Sequence, residues 1–108
     1  MKTYVVSGAA SGIGAATTRL LRDEGHRVVT VDQRDAEVVA DLSSAAGRQA
    51  AIEQVQRLVD VVDGVVPCAG VPGLTGVDPG LVVSVNYFGA VSLVRGLQPQ
   101  LAAADAWP

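Results

Sequence analysis

The sequence contains few cysteine, histidine, lysine or aromatic residues, and these shortages narrow the classes of protein that it can represent. Its single cysteine, Cys68, excludes a disulfide within the chain and is typical of a reducing compartment, so we expect a cytoplasmic protein. Eight Lys and Arg residues against eleven Asp and Glu residues include no basic run that could neutralise a row of phosphates. We therefore expect no nucleic-acid partner, and we predict no metal site.

Long apolar runs are also missing. The longest, residues 81–94, is interrupted by Ser84 and Asn86 and is shorter than the roughly eighteen residues that a membrane span needs. The segment after Met1 and Lys2 reaches its glycines too soon to hold the apolar region of a signal peptide. We expect neither a membrane segment nor a leader.

What the sequence does contain is an alternation of short β-branched runs with segments of helical periodicity. The predicted strands are residues 3–7, 27–32, 37–40 and 64–68. The predicted helices are residues 12–24, residues 45–59 and a long, largely apolar helix that starts at Pro79, runs past Leu97 and bends near Pro99. The predicted inward faces are Ile13, Ala16, Leu20 and Leu21 in the first helix and Ile52, Val55, Leu58 and Val59 in the second.

This order of elements requires crossover connections between parallel strands. Right-handed crossovers place the strands in the spatial order 3-2-1-4, with helices on both faces of the sheet. The predicted fold class is therefore α/β, a three-layer α/β/α arrangement. It corresponds to an incomplete Rossmann-type doubly wound sheet, because further strands lie beyond the fourth in the complete fold.

Three glycines follow the first predicted strand in the run SGAASGIG. Glycine allows a tight turn and close approach to a diphosphate, and a helix N-terminus supplies free amides and a favourable dipole. We predict that Gly8, Ser11, Gly12, Ile13 and Gly14 bind a dinucleotide. The alternative is a glycine-rich turn without a ligand, although the position between a strand and a helix favours the first interpretation.

The glycine spacing, Gly-x-x-x-Gly-x-Gly, differs from that of the standard dinucleotide motif. It resembles the Thr-Gly-x-x-x-Gly-x-Gly signature of the short-chain dehydrogenase/reductase family, with Ser7 in place of threonine. Four further features follow in the family's order, so the resemblance spans the whole chain. It implies that residues 1–108 form one NAD-binding Rossmann domain, the N-terminal part of such an enzyme.

Asp32 ends the second predicted strand, eighteen residues after Gly14. A carboxylate there can accept hydrogen bonds from both hydroxyls of the adenosine ribose and repels a 2′-phosphate, which favours NAD over NADP. The alternative is an acidic strand end in solvent. Nearby Arg34 could stack on the adenine, although a surface arginine is the simpler interpretation.

Asp41 and Leu42 are similar to the Asp-Val or Asp-Leu pair with which the family contacts adenine after its third strand. The resemblance implies that the Asp41 side chain accepts a hydrogen bond from the adenine amino group. The alternative is that Asp41 helps to cap the helix that begins near Ser43 or Ser44. Both interpretations remain open.

Cys68, Ala69 and Gly70 stand where the family usually has Asn-Asn-Ala-Gly, so the resemblance places the nicotinamide-side ribose over this turn. Pro67 and Cys68 replace the asparagines, which weakens the sheet-stabilising role of that motif. No histidine accompanies Cys68, and we interpret it as an inert thiol and not as a nucleophile.

Asn86, in the run VNYFG, matches the asparagine that in this family holds a water of the proton relay to the active-site lysine. The resemblance therefore assigns it a catalytic role. The alternative is that this amide, in an otherwise apolar helix, hydrogen-bonds to a neighbouring backbone group.

The family's remaining catalytic groups, a serine and a Tyr-x-x-x-Lys motif, do not occur in the 108 residues. The only lysine is Lys2, and neither Tyr4 nor Tyr87 has a lysine four positions later. Without a general acid the rate falls typically by about two to four orders of magnitude. We expect these residues alone to bind the cofactor with almost no turnover.

The runs SGAASGIGAAT, DQRDAEVVADLS and VSVNYFGA look most like the bacterial 3α-hydroxysteroid dehydrogenase/carbonyl reductase branch of the family. The resemblance implies an NAD-dependent oxidoreductase that interconverts a secondary alcohol and a ketone, a hydroxysteroid or a similar apolar small molecule. An exposed sheet edge and the apolar last helix predict a homo-oligomer. The alternative function is a non-catalytic dinucleotide-binding or interaction module.

Overall fold

The computed structural model describes residues 1–104, which form a four-stranded parallel sheet in the order β3-β2-β1-β4. The strands are β1 (Thr3–Ser7), β2 (Arg27–Asp32), β3 (Val38–Val39) and β4 (Gly64–Pro67). The helices are α1 (Gly12–Asp23), α2 (Ala45–Leu58), α3 (Pro79–Val83), α4 (Ala90–Gly96) and α5 (Gln98–Ala102). A π-helical segment, Ser84–Gly89, joins α3 to α4.

The sheet buries side chains on both of its faces because successive residues of a strand point in opposite directions. On one face, Val5 belongs to a core that includes Ile52 of α2 and Leu93 of α4. On the other face, Val6 belongs to a second core, against which Leu21 of α1 packs. These three layers and the strand order confirm the predicted α/β fold class.

The predicted inward face of α1 is wrong for three of its four members, because Ile13, Ala16 and Leu20 are exposed. The side of α1 that is turned inward contains Gly14, Thr18 and Leu21. The hydroxyl of the buried Thr18 has a hydrogen-bond partner, because it donates to the Gly14 carbonyl oxygen at 2.8 Å. The contact between α1 and the sheet is thus lined by small residues and by a threonine whose hydroxyl bonds within the helix. The larger apolar side chains lie outside this contact.

Helix α2 agrees better with its predicted pattern. Ile52 and Val55 are buried, as predicted. Leu58, the last residue of the helix, is 43% exposed and does not belong to the inward face, contrary to the prediction. Ser44 is the N-cap, and its hydroxyl oxygen accepts a hydrogen bond from the Gly47 N–H at 3.0 Å. The cap fixes the start of α2 directly after the β3–α2 turn.

The predicted long helix is divided into shorter pieces. It begins at Pro79, as predicted, and the Asp78 side chain caps it. The π-helical segment interrupts it, and Leu97 leaves the helical conformation before α5 begins. Pro99 lies in the first turn of α5, so the break precedes the proline, as its missing N–H and its ring require.

Two strands are shorter than predicted. β3 comprises two residues, and just before its start the Glu37 N–H donates to the Thr30 hydroxyl and not to a backbone carbonyl of β2. β4 ends at Pro67, one residue before the predicted end at Cys68. Within residues 1–104, no helix combines the length and the apolar character that crossing a membrane requires.

Candidate functional site

A cleft of about 520 Å³ opens at the edge of the sheet where the carboxyl ends of the strands meet. The loops that follow all four strands contribute residues to it. Open parallel sheets bind ligands in the crevice outside this edge, at the point where the strand order reverses. Here that point lies between β1 and β4, so the topology itself places the candidate site.

The structure brings most of the predicted cofactor-binding residues together in this cleft. Those that line it are Gly8, Ser11, Gly12, Ile13, Asp32, Asp41, Leu42, Cys68, Ala69 and Gly70. Two predicted residues do not line it: Gly14 lies beneath the glycine loop, and Arg34 is an exposed residue outside the cleft.

Backbone contacts that leave no room for side chains fix the glycine loop. A Cβ on Gly14 would overlap the carbonyl oxygen of Gly8. Gly8 has φ of +68°, and a Cβ there would lie 2.6 Å from the Ala69 nitrogen. These two glycines therefore pack the loop against α1 and against the β4–α3 loop, whereas Gly12, with φ of +57°, borders open space.

The start of α1 offers backbone donors to the cleft. The first N–H groups of any α-helix have no partner within the helix. The N-cap residue, Ser11, adopts an extended conformation and makes no side-chain hydrogen bond to the first turn. The first turn thus presents free N–H groups and the positive end of the helix dipole, which is the arrangement that binds a diphosphate.

Asp32 lies beside these donors, with its carboxylate already oriented by two backbone groups. Its Oδ2 accepts a hydrogen bond from the Ala10 N–H at 2.9 Å, and its Oδ1 accepts one from the Gln33 N–H at 2.7 Å. Each carboxylate oxygen has a second lone pair, so a sugar diol can still be bound. The bond to Ala10 connects the end of β2 to the glycine loop and holds the carboxylate in the cleft.

Asp41 stabilises the turn before α2. The hydroxyl and the backbone N–H of Ser43 donate to its Oδ1 at 2.6 and 2.9 Å. These two bonds, the hydroxyl first, hold the pKa of the Asp41 carboxyl below its ordinary value. The N-cap itself is Ser44, so Asp41 stabilises the approach to the helix and its second oxygen remains available for a ligand.

The turn after β4 is attached to β1 by backbone and side-chain bonds. The Cys68 N–H donates to the Ser7 carbonyl oxygen at 3.1 Å, and the Ala69 N–H donates to the Ser7 hydroxyl at 3.3 Å. Ser7 is 1% exposed, so its hydroxyl serves the structure and not a ligand. This buried serine performs part of the sheet-stabilising work expected of the asparagines that Pro67 and Cys68 replace.

Asn86 lies in the π-helical segment, and its side-chain amide forms two hydrogen bonds with the backbone of Val71. Its Oδ1 accepts from the Val71 N–H at 2.6 Å, and its Nδ2 donates to the Val71 carbonyl at 3.0 Å. This is the backbone pairing that was the alternative interpretation of the sequence. The paired bonds fold the β4–α3 loop onto the helix, which brings Val71 to the cleft.

Sequence reasoning missed six residues that line the cleft: Gln33, Ala40, Ser43, Val71, Leu81 and Val85. All but Leu81 flank a predicted site residue by one position, so a wider reading of each motif would have included them. Leu81 reaches the cleft from α3, at a distance from every predicted site residue in sequence. No local sequence pattern predicts its position at the cleft.

The donor set of the cleft consists of backbone N–H groups at a helix start and carboxylates at strand ends. Such groups suit a diphosphate and the hydroxyls of a ribose, respectively. Gly12 lines the cleft, and the position of a Cβ there is open space, so its backbone can approach a ligand closely and the residues present fit a dinucleotide. Within residues 1–104, no group of three or more His, Cys, Asp or Glu side chains could hold a metal ion.

Comparison with known proteins agrees with this geometry. A sequence profile for short chain dehydrogenase matches residues 2–106. The 3-alpha-hydroxysteroid dehydrogenase/carbonyl reductase of Comamonas testosteroni is 51% identical over 102 aligned residues, covering 94% of this chain and 39% of that protein. The coniferyl-alcohol dehydrogenase of a Pseudomonas strain is 47% identical over 102 aligned residues, covering 89% of this chain and 38% of that protein. The chain spans about two fifths of the length of these relatives.

Solved structures show the same likeness. The 3-alpha-hydroxysteroid dehydrogenase from Pseudomonas sp., complexed with NADH, has a TM-score of 0.88 and 46% identity, covering 94% of this chain and 40% of that one. An oxidoreductase from Brucella ovis, in complex with a partially ordered NAD, has a TM-score of 0.84 and 27% identity. It covers 95% of this chain and 59% of that one.

Proposed function

Because the chain belongs to the short-chain dehydrogenase family, we propose that its cleft binds NAD(H) and that residues 1–108 are the nucleotide-binding part of an oxidoreductase. The similar Pseudomonas enzyme was crystallised with NADH, and that likeness extends over 94% of this chain. The donor set of the cleft supports the same ligand. A reducing, cytoplasmic location suits a protein with one cysteine.

The observation that carries this proposal is the position of the Asp32 carboxylate next to the start of α1. The N–H groups of the first turn bind the diphosphate, and Asp32 then accepts hydrogen bonds from the adenosine ribose. Its anchoring by Ala10 and Gln33 prevents the carboxylate from turning away. A 2′-phosphate would meet this fixed negative charge, so the cleft prefers NAD to NADP.

The proposed reaction is the interconversion of a secondary alcohol and a ketone. When bound, NAD supplies the hydride acceptor. This chain's own residues bind and orient the cofactor: Asp41 and Leu42 at the adenine, and Cys68, Ala69 and Gly70 at the nicotinamide-side ribose. Asn86 fixes the loop on that side through Val71.

The proposed substrate is a hydroxysteroid or a similar apolar carbonyl compound. Support comes from the Comamonas relative, whose name specifies 3-alpha-hydroxysteroid and carbonyl substrates and which is 51% identical to this chain. Residues 1–108 contain no Tyr-x-x-x-Lys motif. A polypeptide of these residues alone should therefore bind NAD with almost no turnover.

Calorimetric titration of the purified 108-residue chain tests the proposal. We expect NAD to bind at least about tenfold more tightly than NADP, because the 2′-phosphate approaches the Asp32 carboxylate. A dehydrogenase assay with a 3α-hydroxysteroid should show no measurable turnover. Equal affinities for the two cofactors would remove Asp32 from the ribose site, and no binding of either would refute the proposed function.

We also propose that these residues form a homo-oligomer. The helical segments after Pro79 expose several apolar side chains: Val83 is 51% exposed, Tyr87 57% and Val94 44%. Sedimentation of the 108-residue chain at micromolar concentration should show a dimer or larger species, and Val83→Ser with Val94→Ser should shift it toward monomer. Leu20→Ser, which changes a similarly exposed apolar residue on α1, is the control. A clean wild-type monomer would contradict this proposal.

A further inference from the structure

Arg48 of α2 connects two parts of the molecule that are distant in sequence. Its Nη1 donates a hydrogen bond to the Leu42 carbonyl oxygen at 3.1 Å. Its guanidinium carbon lies 5.7 Å from the centroid of the Phe88 ring, in the π-helical segment. Within residues 1–104 no carboxylate lies within ion-pairing distance of Arg48, so its charge is engaged by a carbonyl and an aromatic face.

The carbonyl that Arg48 binds belongs to the cleft. Leu42 lines the cleft together with its neighbours Asp41 and Ser43, and these residues form the β3–α2 turn. The Leu42 side chain is 6% exposed, and the buried Gly89 of the π-helical segment lies against it. The turn is therefore held from two directions, by packing against the π-helical segment and by the hydrogen bond from Arg48.

We propose that Arg48 is a positioning residue for the adenine half of the cofactor, acting through its bond to Leu42 and its stacking on Phe88. The proposal rests on the proposed function, because it needs the adenine to lie at the β3–α2 turn. Arg48 does not line the cleft, so it acts through the residues of the β3–α2 turn. Arg48 holds Asp41 and Leu42 in the position in which they contact the adenine.

Arginine suits this position for a physical reason. A planar guanidinium can stack on a ring and donate a hydrogen bond in its own plane at the same time, whereas an ammonium is a compact, strongly hydrated charge. The π-helical segment presents Phe88 two residues after Asn86, the residue that pairs with the backbone of Val71. One helical segment thus supports both loops of the cleft, through Arg48 on the adenine side and through Asn86 on the other.

NMR titrations of the purified protein with NAD, 5′-AMP and nicotinamide mononucleotide test the proposal. Arg48→Met should weaken the binding of NAD and 5′-AMP by about threefold to tenfold and leave that of nicotinamide mononucleotide unchanged. Arg48→Lys should remain closer to Arg48→Met than to the wild type, because charge alone does not restore the stacking. Phe88→Leu should reproduce the loss, without adding to it in the double variant.

Arg57→Met is the matched control, because it removes the same charge from an exposed position in the last turn of α2. We expect it to bind all three ligands as the wild type does. Unchanged 5′-AMP affinity in Arg48→Met, equal losses for both mononucleotides, or recovery by lysine close to the wild-type value would each overturn the proposal. A wild type that binds no NAD would instead refute the proposed function.

Discussion

Replacing Gly14 with valine is expected to abolish NAD binding, a loss of at least about a hundredfold in affinity. A Cβ at this position overlaps the Gly8 carbonyl oxygen, which is backbone and cannot rotate away as a side-chain tip could. Relief of the overlap moves the start of α1 away from the glycine loop, together with the N–H groups proposed to bind the diphosphate. Isothermal titration calorimetry with NAD measures the loss.

Two further variants make this result interpretable. Gly14→Ala adds one carbon and should give a smaller loss of the same kind, which matters if the valine variant fails to fold. Gly73→Ala is the control, because a Cβ there meets nothing within 4 Å and the residue has no positive φ. If the Gly14 variants keep a native circular dichroism spectrum and bind NAD normally, the diphosphate does not lie at the start of α1.

Replacing Asp32 with alanine is expected to weaken NAD binding by about tenfold to a hundredfold, equivalent to about 1.5–3 kcal/mol for hydrogen bonds to a charged group. The variant loses the acceptor for the ribose hydroxyls and also releases the Ala10 N–H that attaches the glycine loop to β2. NADP affinity should not fall in parallel, because the repulsion of the 2′-phosphate disappears with the carboxylate. Calorimetric titrations with both cofactors measure the two effects.

Asp23→Ala is the matched control for this experiment. Asp23 is an exposed carboxylate at the last position of α1, at the opposite end of the helix from the cleft. The control should bind both cofactors as the wild type does. An unchanged NAD dissociation constant in Asp32→Ala would show that another group binds the ribose.

The sequence was sufficient to predict the presence and the order of the four strands and the edge of the sheet that holds the cleft, although β3 and β4 are shorter than predicted. The valine runs of β1 and β2 are too short for helices and too apolar for loops, so a local pattern is enough to predict each as a strand. The crossover rule then fixes the strand order and places the loops on one edge. For this reason, residues predicted separately, such as Gly8, Asp32 and Ala69, lie in the same cleft.

The inward face of α1 could not be predicted from apolar periodicity. That method ranks Ile13 and Leu20 above Gly14 and Thr18, because it assumes that the largest apolar side chains are buried. Helix α1 instead approaches the glycine loop at backbone distance, where only small residues fit. Because of this close approach, Gly14 lies beneath the glycine loop and does not line the cleft.

Contacts between distant side chains were also beyond the sequence. Asn86 pairs with the backbone of Val71, and Arg48 contacts both Leu42 and Phe88, across separations that no local pattern encodes. The π-helical segment brings these partners within reach, and its sequence has no feature that distinguishes it from an ordinary helix. Arg34 shows the converse, since its proximity to Asp32 in sequence does not bring it to the cleft.

The central position of β1 in the sheet affects the order in which the protein can assemble. Tyr4 pairs with Val28 on one side and with Gly64 on the other, sixty positions later in the chain. During synthesis β1 emerges before β4 and cannot pair with it until then, and such non-local closure slows folding. Any ligand that bridges both sides of β1 binds only after β2 and β4 have both paired with it, and by mass action it stabilises those pairings.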